Sequence, residues 1–303
     1  EPVIDVHTWL TYAPRFLLAG ENPYSASYPS PYGTERAARF HIPQQPEARP
    51  ASYSPGVILS GIPATLLGCD ARYTNIVADL LAALALLLVG RRCRRPDLGV
   101  LASGLYLCLP RAPFMIEQAW YEPQLAACAG LFALCLPQWP WAAALALGGL
   151  LSLKQYVVVL APSLAGMCRR HWRVALGGLG VAALLSAPVI LWDARAFWEI
   201  AVRAQVGRAV VTHALTIPAF LSNEFGWTLP RAVVWPALAV LVGLLGWRTP
   251  GAGRGPGGLY LAAALLAFNV LVQGFPNYYY LAEFLLLLGV VQSSADSVPA
   301  AGP

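Results

Sequence analysis

Charge is scarce in this chain. Aspartate, glutamate, lysine and arginine supply only 12% of its 303 residues against 57% apolar ones, and mean hydropathy is +0.56. So few charges cannot cover the surface of a water-soluble protein of this size. Long polar stretches are missing as well. From Tyr73 to Gln292 apolar blocks follow one another, with nothing between them that could fold as a separate soluble unit. These absences exclude a two-domain soluble enzyme and leave a single integral membrane domain over 1–303. The six cysteines (Cys69, Cys93, Cys108, Cys128, Cys135 and Cys168) show no Cys-x-x-Cys spacing. Several lie inside apolar blocks as small hydrophobes, so neither a zinc site nor a disulfide framework is expected. No internal repeat recurs at a fixed period, and the given residues contain no signal peptide. Lysine occurs once, at Lys154, among 20 lysines and arginines.

What is present reads as an all-α polytopic transmembrane helical bundle. A span takes about 20 largely apolar residues. Nine segments qualify or come close: 73–90, 98–111, 123–137, 139–153, 156–168, 174–192, 232–247, 258–273 and 278–292. Several are short, and Pro or Gly is expected to break them or to shift their ends. The first residues read as the exit from a membrane segment, so a first span missing upstream of Glu1 is expected. Net charge is +5 and the isoelectric point is near 9.0. The arginines sit in short clusters between apolar blocks: Arg91, Arg92, Arg94 and Arg95; then Arg169, Arg170 and Arg173; then Arg248 and Arg254. That pattern sets topology and does not indicate nucleic-acid binding. All three clusters fall on one side, the cytoplasmic one, if 53–69 does not cross, and its Pro55, Gly56, Gly61 and Pro63 suit an interfacial or re-entrant segment. The domain then divides into an outer loop 1–72 with an interfacial helix and the non-spanning segment, spans one to six in 73–192, a long outer loop 193–230, spans seven to nine in 231–292, and a disordered tail 293–303. Eleven of the 15 acidic residues lie on the outer side or at its edge.

Candidate chemistry gathers on that outer side. Asp5 lies in VIDVHTWLTYAPRFLLAG, whose apolar positions suit an amphipathic helix along the membrane surface. It reads either as a general base near a lipid-borne substrate or as an acid favoured by the positive end of a helix. Lys154, in LLSLKQYVVVLAP, reads either as a point charge for a lipid phosphate or as a lysine whose charge snorkels to water at a turn. The loop RAPFMIEQAWYEP carries Glu117 and Glu122 beside Trp120 and Tyr121. Carboxylates next to aromatic rings suit a sugar, although an interfacial aromatic belt also accounts for the two rings. Arg203, Arg208 and His213, in the long outer loop, could close over an anionic head group or rest on anionic lipid. Asn277 and Tyr278 place polar and aromatic groups at the outer edge of the last span.

In their order along the chain these pieces resemble the GT-C superfamily, polytopic glycosyltransferases that use polyprenyl-phosphate sugars. The resemblance runs from Asp5 in VIDVHTWL through Asn22-Pro23-Tyr24, Tyr53-x-Pro55, the EQAWYEP loop, LKQYVVVLAP and the Phe197-Trp198 loop to FPNYYYL, and so covers most of the chain. It implies an inverting transfer with Asp5 as catalytic base. Lys154, with Arg203 and Arg208, would meet the carrier phosphate. Trp120, Tyr121, His213, Asn277 and Tyr278 are the expected sugar or acceptor contacts. Many relatives carry a second acid beside the first, where this chain has Val6, which leaves Glu117, Glu122 or His7 as the substitute. The implied partners are a polyprenyl-phosphate sugar donor and membrane lipids, with no nucleic acid. No cofactor is indicated, no metal ligands are assigned, and a divalent cation stays open. The expected location is a bacterial cytoplasmic (inner) membrane with the site facing outward. A lipid-linked-sugar or solute transporter, and a non-catalytic subunit of an envelope-assembly complex, are the alternatives from other functional classes.

Overall fold

The computed structural model describes residues 2, 4–31, 47–48, 52–204, 214–251 and 255–293. Each of the nine expected apolar segments is helical. They form α4 (Tyr73–Arg92), α5 (Pro96–Leu107), α7 (Glu122–Cys135), α8 (Pro140–Leu153), a 3₁₀ turn Gln155–Leu160 running into α9 (Ala161–Met167), α10 (Trp172–Trp192), α13 (Arg231–Arg248), α14 (Gly257–Leu271) and α15 (Pro276–Ser293). Proline explains many of the boundaries. It occupies the first turn of α5, α7, α8, α9 and α15, where its missing N–H has no intrahelical partner to lose. Among the described residues three helices, α4, α10 and α13, are long and apolar enough to cross a membrane by themselves. The nine apolar segments are therefore helical, while most of the other six are shorter than these three. Helices of 12–15 residues, such as α5, α7, α8 and α14, reach only about 18–23 Å, short of a hydrocarbon core of about 30 Å.

The first 72 residues contribute α1 (Asp5–Leu18), α2 (Pro55–Ser60) and α3 (Ile62–Leu66), with a two-residue antiparallel pairing of Tyr28–Pro29 against Glu47–Ala48. The 53–69 segment is thus two short helices that break at Gly61. Helix α1 turns its apolar side to protein: Val6 and Leu10 enter the main core, while Trp9 and Ala13 join Tyr24, Tyr28 and Ile58 in a smaller cluster. The polar 193–230 region is largely helical where described, as α11 (Ala194–Phe197), a π-helical turn Trp198–Arg203, and α12 (Ile217–Phe225). Between α5 and α7 lies a further short helix, α6 (Ala112–Glu117).

Small residues set the helix spacing, as expected where lipid supplies no hydrophobic drive between helices. A Cβ on Gly90 would lie 2.4 Å from the Gly99 Cα, and one on Gly258 would lie 2.5 Å from the Gly289 N, so α4 meets α5, and α14 meets α15, nearly backbone to backbone. An acid also ties helices together. Asp79 of α4 is buried and accepts hydrogen bonds from the Tyr106 hydroxyl at 2.5 Å and the Tyr280 hydroxyl at 2.9 Å, tying α4 to α5 and α15.

The bundle has two chemically different ends. At one, arginines reach helix carbonyls: Arg92 donates to Leu134 O at 2.9 Å, and Arg169 to Gly246 O at 3.1 Å, near the last turn of α13. Cationic side chains are favoured at such C-termini. At the other end meet the starts of α4, α7 and α15 and the finish of α8, linked by hydrogen bonds among Asn75, Trp120, Glu122, Lys154 and Asn277. Arginine clusters and candidate site thus occupy opposite ends.

Replacing Gly90 by valine is expected to force α4 from α5 and to lower stability by about 1–3 kcal/mol, the usual cost of overpacking. Gly104→Ala, where a Cβ would meet open space, should leave the thermal unfolding midpoint in detergent almost unchanged.

Candidate functional site

The local sequence around Lys154 breaks a helix. α8 ends at Leu153, and Lys154 takes an extended conformation (φ −148°, ψ 140°) before the 3₁₀ turn begins. The break swings the side chain inward instead of letting it climb to water, leaving the residue 2% exposed. The snorkelling reading is thereby removed. Its partner is Glu122, 0% exposed, whose Oε1 lies 2.5 Å from Nζ. The same oxygen accepts from the Asn277 amide at 2.7 Å and the Tyr156 hydroxyl at 3.2 Å. Glu122 opens α7, where the positive end of the helix favours a carboxylate.

Aromatic rings enclose the pair. The ammonium lies 5.0 Å from the ring centre of Tyr278, 5.1 Å from Tyr53, 5.3 Å from Tyr156, 5.8 Å from Trp120 and 5.9 Å from Tyr121. These are cation–π distances, and in a desolvated site each such contact counts for more than it would in water. Tyr53 is held over the lysine from two sides. The Tyr24 hydroxyl donates to its carbonyl at 2.7 Å, and the Tyr24 N–H is fixed by the Asn22 side chain at 2.9 Å, which gives the Asn-Pro-Tyr motif a structural task. Glycine then lets α2 come close, since a Cβ on Gly56 would sit 2.4 Å from the Ser152 hydroxyl oxygen. Gln155 adds a clamp, its amide donating to Ser52 O at 2.7 Å and to Ala201 O at 3.1 Å.

Asp5, half-buried at the start of α1, accepts the Val6 N–H at 2.8 Å. Its carboxylate acts electrostatically on both Tyr53 and Tyr121. The Tyr121 hydroxyl in turn donates to Val6 O at 3.2 Å, and the two rings meet edge to face at 5.0 Å. Asp5 and Lys154 therefore act on the same two rings, Tyr53 and Tyr121. Several polar atoms around it are buried without a hydrogen-bond partner among the described residues: Glu122 Oε2, Asn277 Oδ1, Trp120 Nε1 and Gln124 Oε1. Three carboxyl or amide acceptors and an indole donor beside flat rings form a lining that suits a hydroxyl-rich ligand.

The structure thus brings together Asp5, Trp120, Tyr121, Glu122, Lys154, Asn277 and Tyr278. Glu117 is separated from them. It is exposed at the end of α6, and Ala119, at φ +57°, turns the chain between it and Trp120. Arg203 is exposed and pairs with Glu199 at 2.8 Å. Arg208 and His213 lie outside the described residues. His7 faces away from the cluster, into a cleft with Thr11 and Arg15. Tyr53 and Tyr156 complete the cage. Tyr53 stood out in sequence only through its Tyr-x-Pro context, and Tyr156 only through its closeness to the single lysine. Among the described residues no three His, Cys, Asp or Glu side chains come together to hold a metal ion.

No protein-family model matches the sequence, and no curated protein matches it. Among solved structures, a crystal structure of ArnT from Cupriavidus metallidurans bound to undecaprenyl phosphate matches 98% of this chain with a TM-score of 0.60 at 15% identity. The chain has the fold of ArnT. The shared architecture is that of a polytopic helical membrane protein. It spans 56% of the ArnT chain.

Lys154→Met would leave Glu122 buried without its cation, and Glu122→Gln the reverse. Each single change should cost about 3–5 kcal/mol, whereas the double variant should lose clearly less than the sum of the two. Thermal unfolding midpoints of the four proteins in one detergent measure the coupling.

Proposed function

We propose that this chain is the catalytic membrane portion of an inverting glycosyltransferase. It moves a sugar, mannose or another hexose or pentose, from a polyprenyl-phosphate carrier to a lipid, glycan or protein acceptor at the non-cytoplasmic face of a bacterial inner membrane. The observation that carries this reading is the placement of Asp5 and the Lys154–Glu122 pair around one aromatic cluster. The ArnT-like fold supports it, and so does the seating of the arginine clusters at the far end, which matches a cytoplasmic placement of that end.

Asp5 takes the proton of the acceptor hydroxyl as its oxygen attacks the anomeric carbon. The bond from that carbon to the carrier's phosphate oxygen breaks, its electron pair leaving with polyprenyl phosphate. The leaving group is already anionic, so no general acid is needed. What it needs is compensation for the charge it gains. An ammonium has three donors, and Glu122 takes one from Lys154, so two are left to meet that phosphate. The unpartnered Glu122 Oε2, Asn277 Oδ1 and Trp120 Nε1 supply contacts for sugar hydroxyls. Glu122 is then the second acid of the site, acting by holding the lysine and the sugar.

Incubation of the purified protein with a radiolabelled polyprenyl-phosphate sugar tests the reading through release or transfer of label. Asp5→Asn should lower turnover by about 100- to 10,000-fold, the usual contribution of a general base, with the unfolding midpoint retained. Near-normal turnover in that variant would remove Asp5 from the mechanism. Uptake of the labelled lipid into vesicles without turnover would replace the transferase by a transporter.

A further inference from the structure

Outside the aromatic cluster, one side of α1 lines a second feature along most of its length, an open cleft of about 240 Å³ bordered by His7, Thr11, Arg15, Thr65, Cys69 and Asp70. Its chemistry follows from helical spacing. Residues 7, 11 and 15 recur every four positions and form one polar stripe on α1, opposite the side that buries Val6, Leu10 and Ala13. The stripe faces the turn after α3, where Gly68 has φ +64° and open space beside it.

The charges in the cleft do not cancel. Asp70 is taken up by Arg72, whose guanidinium approaches it at 2.6–3.0 Å and holds its carboxyl below the usual carboxylate range. It therefore stays ionised at neutral pH, and Arg72 balances it. Arg15 has the face of Tyr12 at 5.4 Å and no carboxylate partner among the described residues. One guanidinium is left over, flanked by the Thr11 hydroxyl and by the His7 imidazole, which also acts on Asp70, while the Thr65 hydroxyl donates to Gly61 O at 3.1 Å. A cleft so lined favours a single oxyanion, because guanidinium and hydroxyl donors match phosphate or carboxylate oxygens.

We infer that the His7–Thr11–Arg15 cleft binds an oxyanion, a phosphate or carboxylate, carried by the acceptor. The carrier phosphate belongs at Lys154, on the other side of α1, so the two anions approach the same helix from different faces. Asp5 starts that helix and Arg15 lies in its last turn, about 15 Å away along the axis, so an acceptor anchored at Arg15 reaches Asp5 by lying along the His7–Thr11 stripe. The acceptor assignment rests on the transferase reading, whereas the presence of an oxyanion site in the cleft does not.

Cys69 is exposed within the cleft and serves as a reporter. In a Cys108→Ser background, which removes the other exposed thiol, maleimide labelling of Cys69 is followed with inorganic phosphate, methyl glucoside or polyprenyl phosphate added, and Cys69→Ser identifies the signal. The expected result is that labelling slows in proportion to inorganic phosphate and ignores the neutral glucoside. In Arg15→Gln the phosphate needed for half protection should rise about tenfold or more, as for loss of a charge-assisted hydrogen bond. Protection by the glucoside alone, no protection by phosphate, or unchanged protection in Arg15→Gln would overturn the oxyanion site. Protection by polyprenyl phosphate at concentrations where inorganic phosphate has no effect would assign the cleft to the carrier and overturn the acceptor role. Labelling requires no turnover, so the cleft and the transferase reading can fail separately.

Discussion

The contact on which the site depends is the ion pair between Lys154 and Glu122, closed to solvent on all sides. A charge pair away from water is expensive to assemble, and it persists only when its geometry is good and its remaining donors and acceptors are occupied. Here the cost is partly offset by Asn277 and Tyr156, which share Glu122 Oε1, and by five aromatic faces around the ammonium, while Glu122 Oε2 has no partner among the described residues. Those groups come from the start of α7, the turn after α8, the start of α15, the loop before α2 and the loop after α6. Because all must converge on one nitrogen, the pair fixes how these five parts of the chain meet.

Two features elsewhere serve the same convergence. The small-residue contacts between α4 and α5 and between α14 and α15 bring backbones close enough for short side chains to reach one another. The Asp79–Tyr106–Tyr280 contacts, within the bundle, lock α15 in rotation a few residues after Asn277 and Tyr278. A transporter would be expected to carry its polar groups near the middle of its helices. Here Asp79 is engaged by two hydroxyls, and among the described residues most unsatisfied polar atoms gather at the Lys154 end, Ser163 Oγ in α9 being an exception. That distribution favours chemistry at a membrane surface.

Much of the site could be read before any fold was known, and the reasons are specific. Lys154 stands out because it is alone, and a lone lysine between apolar blocks must be accommodated by something. Trp120, Tyr121 and Glu122 stand out because acids beside aromatic rings are unusual for a short membrane connection. Their relation was not legible. Glu122 finds Lys154 32 residues away and Asn277 155 residues away, and nothing in local spacing encodes such pairings. Glu117 and Glu122 looked equivalent in the same loop, yet the turn at Ala119 sends one to solvent and the other to the core. Lys154 was read as either solvent-seeking or phosphate-seeking, and its carboxylate partner appeared in neither reading.

Composition by itself determined that the chain lives in a membrane, since 12% charge cannot cover a soluble surface. Apolar runs and the prolines at their starts determined where the helices lie, because both act over a single turn or a single helix. Arginine placement marked which helix ends belong together. Tertiary structure alone decided which polar groups face one another, which helices are long enough to cross unaided, and that the polar stripe of α1 borders a cleft while its apolar side is buried. These outcomes depend on distances between residues far apart in the chain, and such distances exist only once the helices have packed.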